Sequence, residues 1–434
     1  MRKSIRVVLV FIILLLLSAC ATQSFIPITE TSIADYDKKE ELVEIDDEQV
    51  LEVWTPDNIF EHSLTFFSNR FPNVKVEIND QIDRNSLVTQ YRSSLVSKKT
   101  PDLYVIPNDL LGTFVSINGF ENVLEEPYYD PVYLEDRPEA LIRTYKNNEK
   151  NEMTIVPLVQ HPYVTYYRAD ILEEHGYPTD PEELEVFMND PTNWFNMARD
   201  LKENGYYLLD SELTLLDVLI RGNYYIDEKH KYIGDTGEWM DVQQAAVTIH
   251  QEQLSLNHLI WDQEAQDAIR EDRLIMFIAP SYMSNHLQSW APDQAGKWAI
   301  TTLPFGLAGM DNQISMSIAI SSQSEEKQLA WEFVKQMSND MLGMYKGIRK
   351  DEYFQNNNLQ RVYWDALSKQ QYGKPHTFDA DIQMLWDLTF KNFHWGKPFT
   401  MEEMQSFHRD LKDKILYEQQ LLQKYEQSQK HMKD

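Results

Sequence analysis

Hydrophobic positions change their period several times in the first third of the chain, and each change predicts an element. Val50, Leu51, Val53 and Trp54 make a short apolar run, as a buried strand does, and Thr55-Pro56-Asp57 turns the chain out of it. Phe60, Leu64, Phe67 and Phe71 then recur at helical spacing until Pro72 ends the helix. Val74, Val76 and Ile78 alternate with Lys75 and Glu77, which predicts a half-buried strand. Leu87, Tyr91 and Leu95 mark a second helix, and Leu103 to Ile106 a third strand closed by Pro107-Asn108-Asp109. Strand, helix, strand, helix, strand implies a parallel sheet with right-handed crossovers. At the far end, Met404, Phe407, Leu411, Ile415 and Leu416 form an apolar helical stripe. It lasts too few heptads for a coiled coil, so it is expected to pack on the body of the protein.

The extreme N-terminus has a different pattern. Arg2, Lys3 and Arg6 precede an unbroken apolar stretch from Val7 to Leu17, and Ser18-Ala19 supply the small residues a signal peptidase needs. The stretch is shorter than the roughly 20 residues of a membrane-spanning helix. Cys20, the one cysteine in the chain, follows at once, and Leu17-Ser18-Ala19-Cys20 resembles a bacterial lipobox. Residues 1–19 are therefore expected to be a signal peptide, with Cys20 as the site of lipid attachment. Residues 20–48 are acidic and poor in apolar groups, which predicts a flexible stalk.

Composition narrows the chemistry. The chain has 434 residues, enough for two domains with full cores. Its formal charge is −29, and removing a leader with three cations and no acids takes it to −32. Nucleic acid and anionic lipid are poor partners for such a surface. A lone anchoring cysteine leaves no thiol for an internal disulfide, catalysis or a cysteine-type zinc site. Glycine is scarce at 14 residues, and no phosphate-loop, dinucleotide-binding, zinc-protease or serine-hydrolase signature occurs. Asp262 and Glu264 could pair as glycosidase carboxylates, but with 69 acids in the chain such pairs arise everywhere. His250 and His258 are the closest approach to metal-ligand spacing, and neither metal nor cofactor is expected.

Val53-Trp54-Thr55, Phe71-Pro72-Asn73-Val74-Lys75-Val76-Glu77 and Pro101-Asp102-Leu103 resemble the opening of the family 1 extracellular solute-binding proteins, the maltose-binding-like components of ABC importers. The resemblance continues through Ile155-Val156-Pro157-Leu158, Val164 to Gly176, Thr192-Asn193-Trp194, Ile269 to Met276, and Ser317-Ile318-Ala319-Ile320 followed by Leu329 to Val334. It departs where the family has glycine-lysine and this chain has Asp272-Arg273, and where the family's asparagine is Arg168. The family's paired glycines before the Ser317 strand are also absent, with Met310-Asp311-Asn312-Gln313 nearby. The resemblance implies a two-lobed α/β fold of the type II periplasmic-binding-protein kind, each lobe a mixed sheet flanked by helices. It implies an N-terminal lobe of residues 49–160 and 281–325, and a C-terminal lobe of residues 161–280 and 326–434. The chain would cross between lobes near 160–165, 276–282 and 321–326.

Ligands of open parallel sheets sit beyond the carboxyl ends of strands. Trp54, Asp57, Asn58, Asn108 and Asp109 are the first-lobe candidates on that ground, with Trp54 either stacking on a sugar or buried in the core, and Asp57 and Asn58 either contacting ligand or capping a helix. His161 and Tyr163 lie at the first crossing, Tyr282 at the second, and Asn312 before the third. Tyr224-Tyr225, Trp239 and Trp261 offer second-lobe aromatics, of which Tyr225 and Trp239 are taken as ligand platforms. The expected function is capture of a carbohydrate, an oligosaccharide, and its delivery to the permease subunits of an ABC importer by a monomer tethered to the outer face of the membrane. A sensory lipoprotein signalling to a membrane kinase is the alternative, and a surface glycoside hydrolase the third class.

Overall fold

The computed structural model describes residues 48–431, except 62, 116, 149, 348–350, 356–358, 370–372 and 395–398. The expected leader, Cys20 and the stalk up to Asp47 lie outside the described residues. Among the described residues eight strands follow in chain order: β1 (Gln49–Trp54), β2 (Val74–Asn79), β3 (Leu103–Pro107), β4 (Val156–Val159), β5 (Tyr163–Arg168), β6 (Met276–Pro280), β7 (Trp298–Thr301) and β8 (Met316–Ile320). They form two sheets, one of order β2-β1-β3-β8-β4 and one of order β6-β5-β7.

The first sheet grows from the predicted strand and helix alternation. β1 pairs in parallel with β2 and β3, and β8 enters antiparallel between β3 and β4. The two-residue period of β1 sends Leu51 and Val53 to one face. There they meet Phe60 and Phe67, whose rings lie 5.4 and 5.1 Å from Phe333 of the helix Lys327–Gly343. Tyr91, Tyr104, Ile106 and Phe114 fill the opposite face. In the second sheet β6 and β7 both run antiparallel to β5, and all three strands are buried. Helices Ala169–Glu174, Pro191–Glu203, Glu212–Arg221 and Gly237–Glu252 contribute to the core around this sheet. The C-terminal stripe joins the same core through Met404, Leu411 and Ile415.

Two lobes are made from interleaved segments, but not with the expected boundaries. β6 does not lead back to the first lobe: residues 298–301 form β7, paired with Thr165 to Arg168, so the segment after residue 281 stays with the second sheet. The helix Lys327–Gly343 goes the other way, because Phe333, Val334 and Met337 match the apolar faces of Phe60, Phe67 and Ile318 in the first lobe. The observed crossings between sheets are Gln160-His161-Pro162, linking β4 to β5, and residues 302–315, linking β7 to β8. After residue 343 the chain returns to the second lobe, where Leu359–Lys369 packs.

A seam of buried polar groups closes the junction. Asn108 at the exit of β3 donates to Gln160 Oε1 at 2.9 Å and accepts from Ser317 Oγ at 2.7 Å. Gln160 in turn donates to the Met316 carbonyl at 3.1 Å, and its own carbonyl accepts from Tyr345 Oη at 2.7 Å. The second lobe also reaches over the first: Tyr224 inserts beside Leu111 and Phe114 and donates to the Asn108 carbonyl at 3.2 Å. Gly112 lies so close to the His376 carbonyl that a Cβ would sit 2.0 Å from that oxygen. No helix among the described residues is long and apolar enough to cross a membrane.

Two of the departures from the family pattern, Arg168 and Asp272, meet each other. Arg168, whose side chain is 3% exposed, pairs with Asp272 and with Asp170, the latter at 2.7 Å. Asp272 has φ 58°, a left-handed conformation that a glycine adopts freely and an aspartate tolerates. Losing Arg168 leaves two half-exposed carboxylates and a gap beside Trp298, 5.9 Å from the guanidinium. Arg168→Asn should cost about 1–3 kcal/mol in urea unfolding. Combined with Asp272→Gly in a double-mutant cycle it should show a coupling of about 1–2 kcal/mol, and strict additivity would show that the pair contributes nothing.

Candidate functional site

The seam brings several chemically distinct side chains to the same place. Asp311, in the link between β7 and β8, donates its backbone N–H to the His161 carbonyl at 2.8 Å. Its Oδ1 accepts the amides of Gln313 and Ile314, and its Oδ2 accepts Tyr282 Oη at 2.8 Å. Burial pushes the Asp311 carboxyl up, with the Tyr282 hydroxyl and the two amides acting against it. Tyr282 extends outward, its ring edge-on to His161 at 5.2 Å and stacked with Trp261 at 6.5 Å and 22°. Trp261 is 44% exposed and makes T-shaped contacts with His286 at 5.3 Å and Trp290 at 5.7 Å. An indole with nearly half its surface exposed thus stands near a set of oxygen acceptors.

The last turn of the helix Glu212–Arg221 completes the polar side. Asp217 and Arg221 are four residues apart, so one helix face carries both, and they pair at 2.5 Å. Arg221 also binds Asp387 at 2.9 Å, from the helix Asp379–His394. Burial raises the Asp217 carboxyl to about 6, opposed by Arg221 and reinforced by Asp311 and Asp387. Yet 44% of its side chain remains accessible. Protein crowds the carboxylate while water still reaches it, so the cluster forms a recess open to solvent. Two carboxylates pair with one guanidinium there and a third, Asp311, lies close by, so acids outnumber cations in the recess. Tyr163, at the start of β5, borders the same charges, and burial followed by Asp311 and Asp217 pushes its hydroxyl well up.

The sequence-derived candidates separate into three groups. His161, Tyr163 and Tyr282 converge on this recess. Asn108, Asp109 and Asn312 lie beside it in structural roles: Asn108 belongs to the seam, and Asn312 donates to the Arg221 carbonyl at 2.9 Å. Asp109 pairs with Arg84 at 2.6 Å and donates its amide to the Asn312 carbonyl at 2.9 Å. Burial raises its carboxyl despite Arg84. Tyr225 and Trp239 do not join them. They pack on each other at 5.8 Å inside the second-lobe core, with the Tyr225 hydroxyl donating to the Ile220 carbonyl at 2.6 Å. Both were expected as ligand platforms, and the structure uses them as core, because their helix and loop turn those positions inward.

Trp54 lies between the two expected states. It is half-buried, donates Nε1 to Glu52 at 2.7 Å, and rests its ring against Tyr91 and Tyr104. Asp57 and Asn58 are exposed; Thr55 Oγ1 donates to the Asp57 carbonyl and the Phe60 amide to Asn58 Oδ1, so they shape the turn after β1. Asp217, Arg221, Asp311 and Asp387 were not singled out from sequence. The four-residue spacing of Asp217 and Arg221 was a visible signal, whereas Asp387 has none.

The sequence profile of the family described as bacterial extracellular solute-binding protein matches residues 52–341. The chain belongs to this family. No curated protein matches it. Among solved structures, an extracellular solute-binding protein of family 1 is similar to this solute-binding protein at TM-score 0.68 and 16% identity, covering 84% of this chain and 99% of the other. The sugar-binding protein MalE of Xanthomonas citri superposes at TM-score 0.65 and 15% identity, covering 86% of this chain and 98% of its own. The GacH receptor of Streptomyces glaucescens, solved unliganded and with acarbose, reaches TM-score 0.60 at 16% identity over 86% of this chain and 99% of its own. The two-lobed periplasmic-binding-protein fold follows, the family and fold are those of binding proteins, and the family places the molecule outside the cytoplasm.

His161 tests the geometry of the junction. Burial lowers its imidazole to about 4, so it stays neutral in the pH range where free histidine titrates. A histidine depressed in the folded state supplies stability above its unfolded value of about 6.5 and loses it as pH falls toward 4. Between pH 7 and pH 4 the wild type should lose about 1–3 kcal/mol more than His161→Gln in urea unfolding. A His161 ring resonance titrating near 6.5 by NMR would show that the junction is wet.

Proposed function

We infer that this solute-binding protein captures an uncharged carbohydrate, an oligosaccharide, and delivers it to an ABC import permease from a lipid anchor on Cys20. The observation that carries the ligand class is the exposed Trp261, stacked on Tyr282, whose hydroxyl reaches Asp311 in the recess with Asp217 and Arg221. An exposed indole takes the apolar face of a sugar ring, and carboxylates with a guanidinium take its hydroxyls. A recess in which acids outnumber cations disfavours anionic ligands. Similar proteins have been solved with maltose, β-1,6-galactobiose and lacto-N-biose, which supports the same class here. Trp54 supplies the first-lobe face, and Tyr163 and His161 border the ligand at the hinge.

The chemistry is capture. The arginine-paired carboxylates and the hydroxyl-bonded Asp311 are acceptors for hydroxyl groups, and ligand between lobes favours the closed form by its differential affinity for it. The closed surface is then what a permease recognises. Screening the lipid-free protein, residues 21–434, against a panel of neutral glycans by thermal shift should reveal a stabilising ligand, with calorimetry giving its affinity. Trp261→Ala should weaken that ligand by about 1–3 kcal/mol while the fold stays intact, since the ring is largely outside the core. Asp217→Asn should weaken it as well. If no glycan stabilises the protein, the ligand class is wrong, and if the glycan is cut, the protein is an enzyme.

A further inference from the structure

Trp261 stands near the end of a loop, residues 254–262, that is held by a few apolar side chains and by hydrogen bonds. Leu254 and Ile260 are buried, while Leu259 and Trp261 point outward. Its hydrogen bonds run to the short segment 209–212. Leu256 N donates to the Leu209 carbonyl at 2.9 Å and His258 N to the Asp210 carbonyl at 3.1 Å. Ser255 Oγ donates to Glu212 at 2.7 Å. The last of these ties lies directly before the tryptophan: Ile260 N donates to Asp210 Oδ2 at 2.9 Å.

The Asp210 carboxyl is an unusual anchor. The residue is 1% exposed, Oδ2 also accepts Thr214 Oγ1 at 2.9 Å, and Oδ1 is buried with no hydrogen-bond partner. Among the described residues no cation pairs with it. Around it, Glu212 binds His250 at 2.7 Å, Asp262 accepts the Leu259 amide at 2.9 Å, and His258 and Glu264 are exposed. The titratable groups facing Trp261 itself are Tyr282 and His286. Burial raises Asp210 to about 7, and holds His286 below its ordinary value.

We propose that Asp210 is the positioning residue for Trp261, a buried carboxyl that clamps loop 254–262 and makes the stacking platform respond to protons. The role of the platform rests on the carbohydrate reading above; the clamp itself does not. Ionising Asp210 in the closed loop strands a charge away from water, and opening the loop returns water to it. Its folded value lies above the unfolded carboxylate value, so opening becomes easier as pH rises from about 4 to about 7 and levels off beyond. The platform is therefore firmest in mild acid. Asp210→Asn keeps an oxygen for the Ile260 amide and removes the titration.

The test labels the protein with 5-fluorotryptophan and assigns the Trp261 resonance by its loss in Trp261→Phe. In the ligand-free wild type this resonance should shift with a midpoint near pH 7, and in Asp210→Asn it should not. Thr214→Val, which removes a hydrogen bond to the ionised form, should move the midpoint upward. With maltose as probe, affinity should fall about threefold or more from pH 5.5 to 7.5 in the wild type beyond any change in Asp210→Asn. A resonance that does not titrate, or that titrates equally in Asp210→Asn, overturns the clamp. A resonance that follows Asp210 on a protein that no glycan stabilises supports the clamp and sinks the carbohydrate reading.

Discussion

Everything at the centre of this molecule depends on the need to satisfy polar groups where two sheets meet out of water. Asn108, Gln160 and Ser317 come from three distant parts of the chain, and each side chain completes another's hydrogen bonding. Buried amides left without partners would cost about 1–3 kcal/mol each, so the seam admits essentially one arrangement of β3, β8 and the link from β4 to β5. That arrangement sets the start of β5 and the backbone of His161, to which Asp311 is bonded. The position of the recess is thus a by-product of how the lobes are joined.

The recess itself works by incomplete compensation. Arg221 pairs with Asp217 and Asp387 and also faces Asp311, so one cation answers three acids, and burial raises the Asp217 and Asp311 carboxyls in spite of it. Such a site favours a ligand rich in hydroxyl donors, because each donor relieves unbalanced negative charge without adding a new one. Aromatic faces on the outer side contribute area without charge. Polar acceptors inside and an indole outside match the two faces of a pyranose.

Family pattern and individual sequence meet at Arg168 and Asp272. Two substitutions that look unrelated along the chain form one ion pair across the edge of the second sheet, with Gln294 joining through Asp272. The left-handed backbone at Asp272 is a property of the fold, and aspartate can occupy it while also supplying the partner for a cation that an asparagine would not need. Departures from a pattern are informative in pairs.

The sequence by itself determined what neighbours along the chain can specify: the period of β1 and β2, the helix through Phe60 and Phe67, the strand exits, the absence of common catalytic signatures and the family. It also marked Tyr163, Tyr282 and His161, because strand ends and crossings are local features. Only the tertiary structure decided which lobe received β7 and the helix Lys327–Gly343, since one apolar face fits either sheet until Phe333 meets Phe60 and Phe67. It decided that Tyr225 and Trp239 are core while Trp261 is open, although all three are aromatics in similar settings. It also joined Arg221 to Asp387, 166 residues away. Hydrophobic period is encoded locally, whereas the choice of partner for a buried ring or charge depends on surfaces that exist only once the chain has folded.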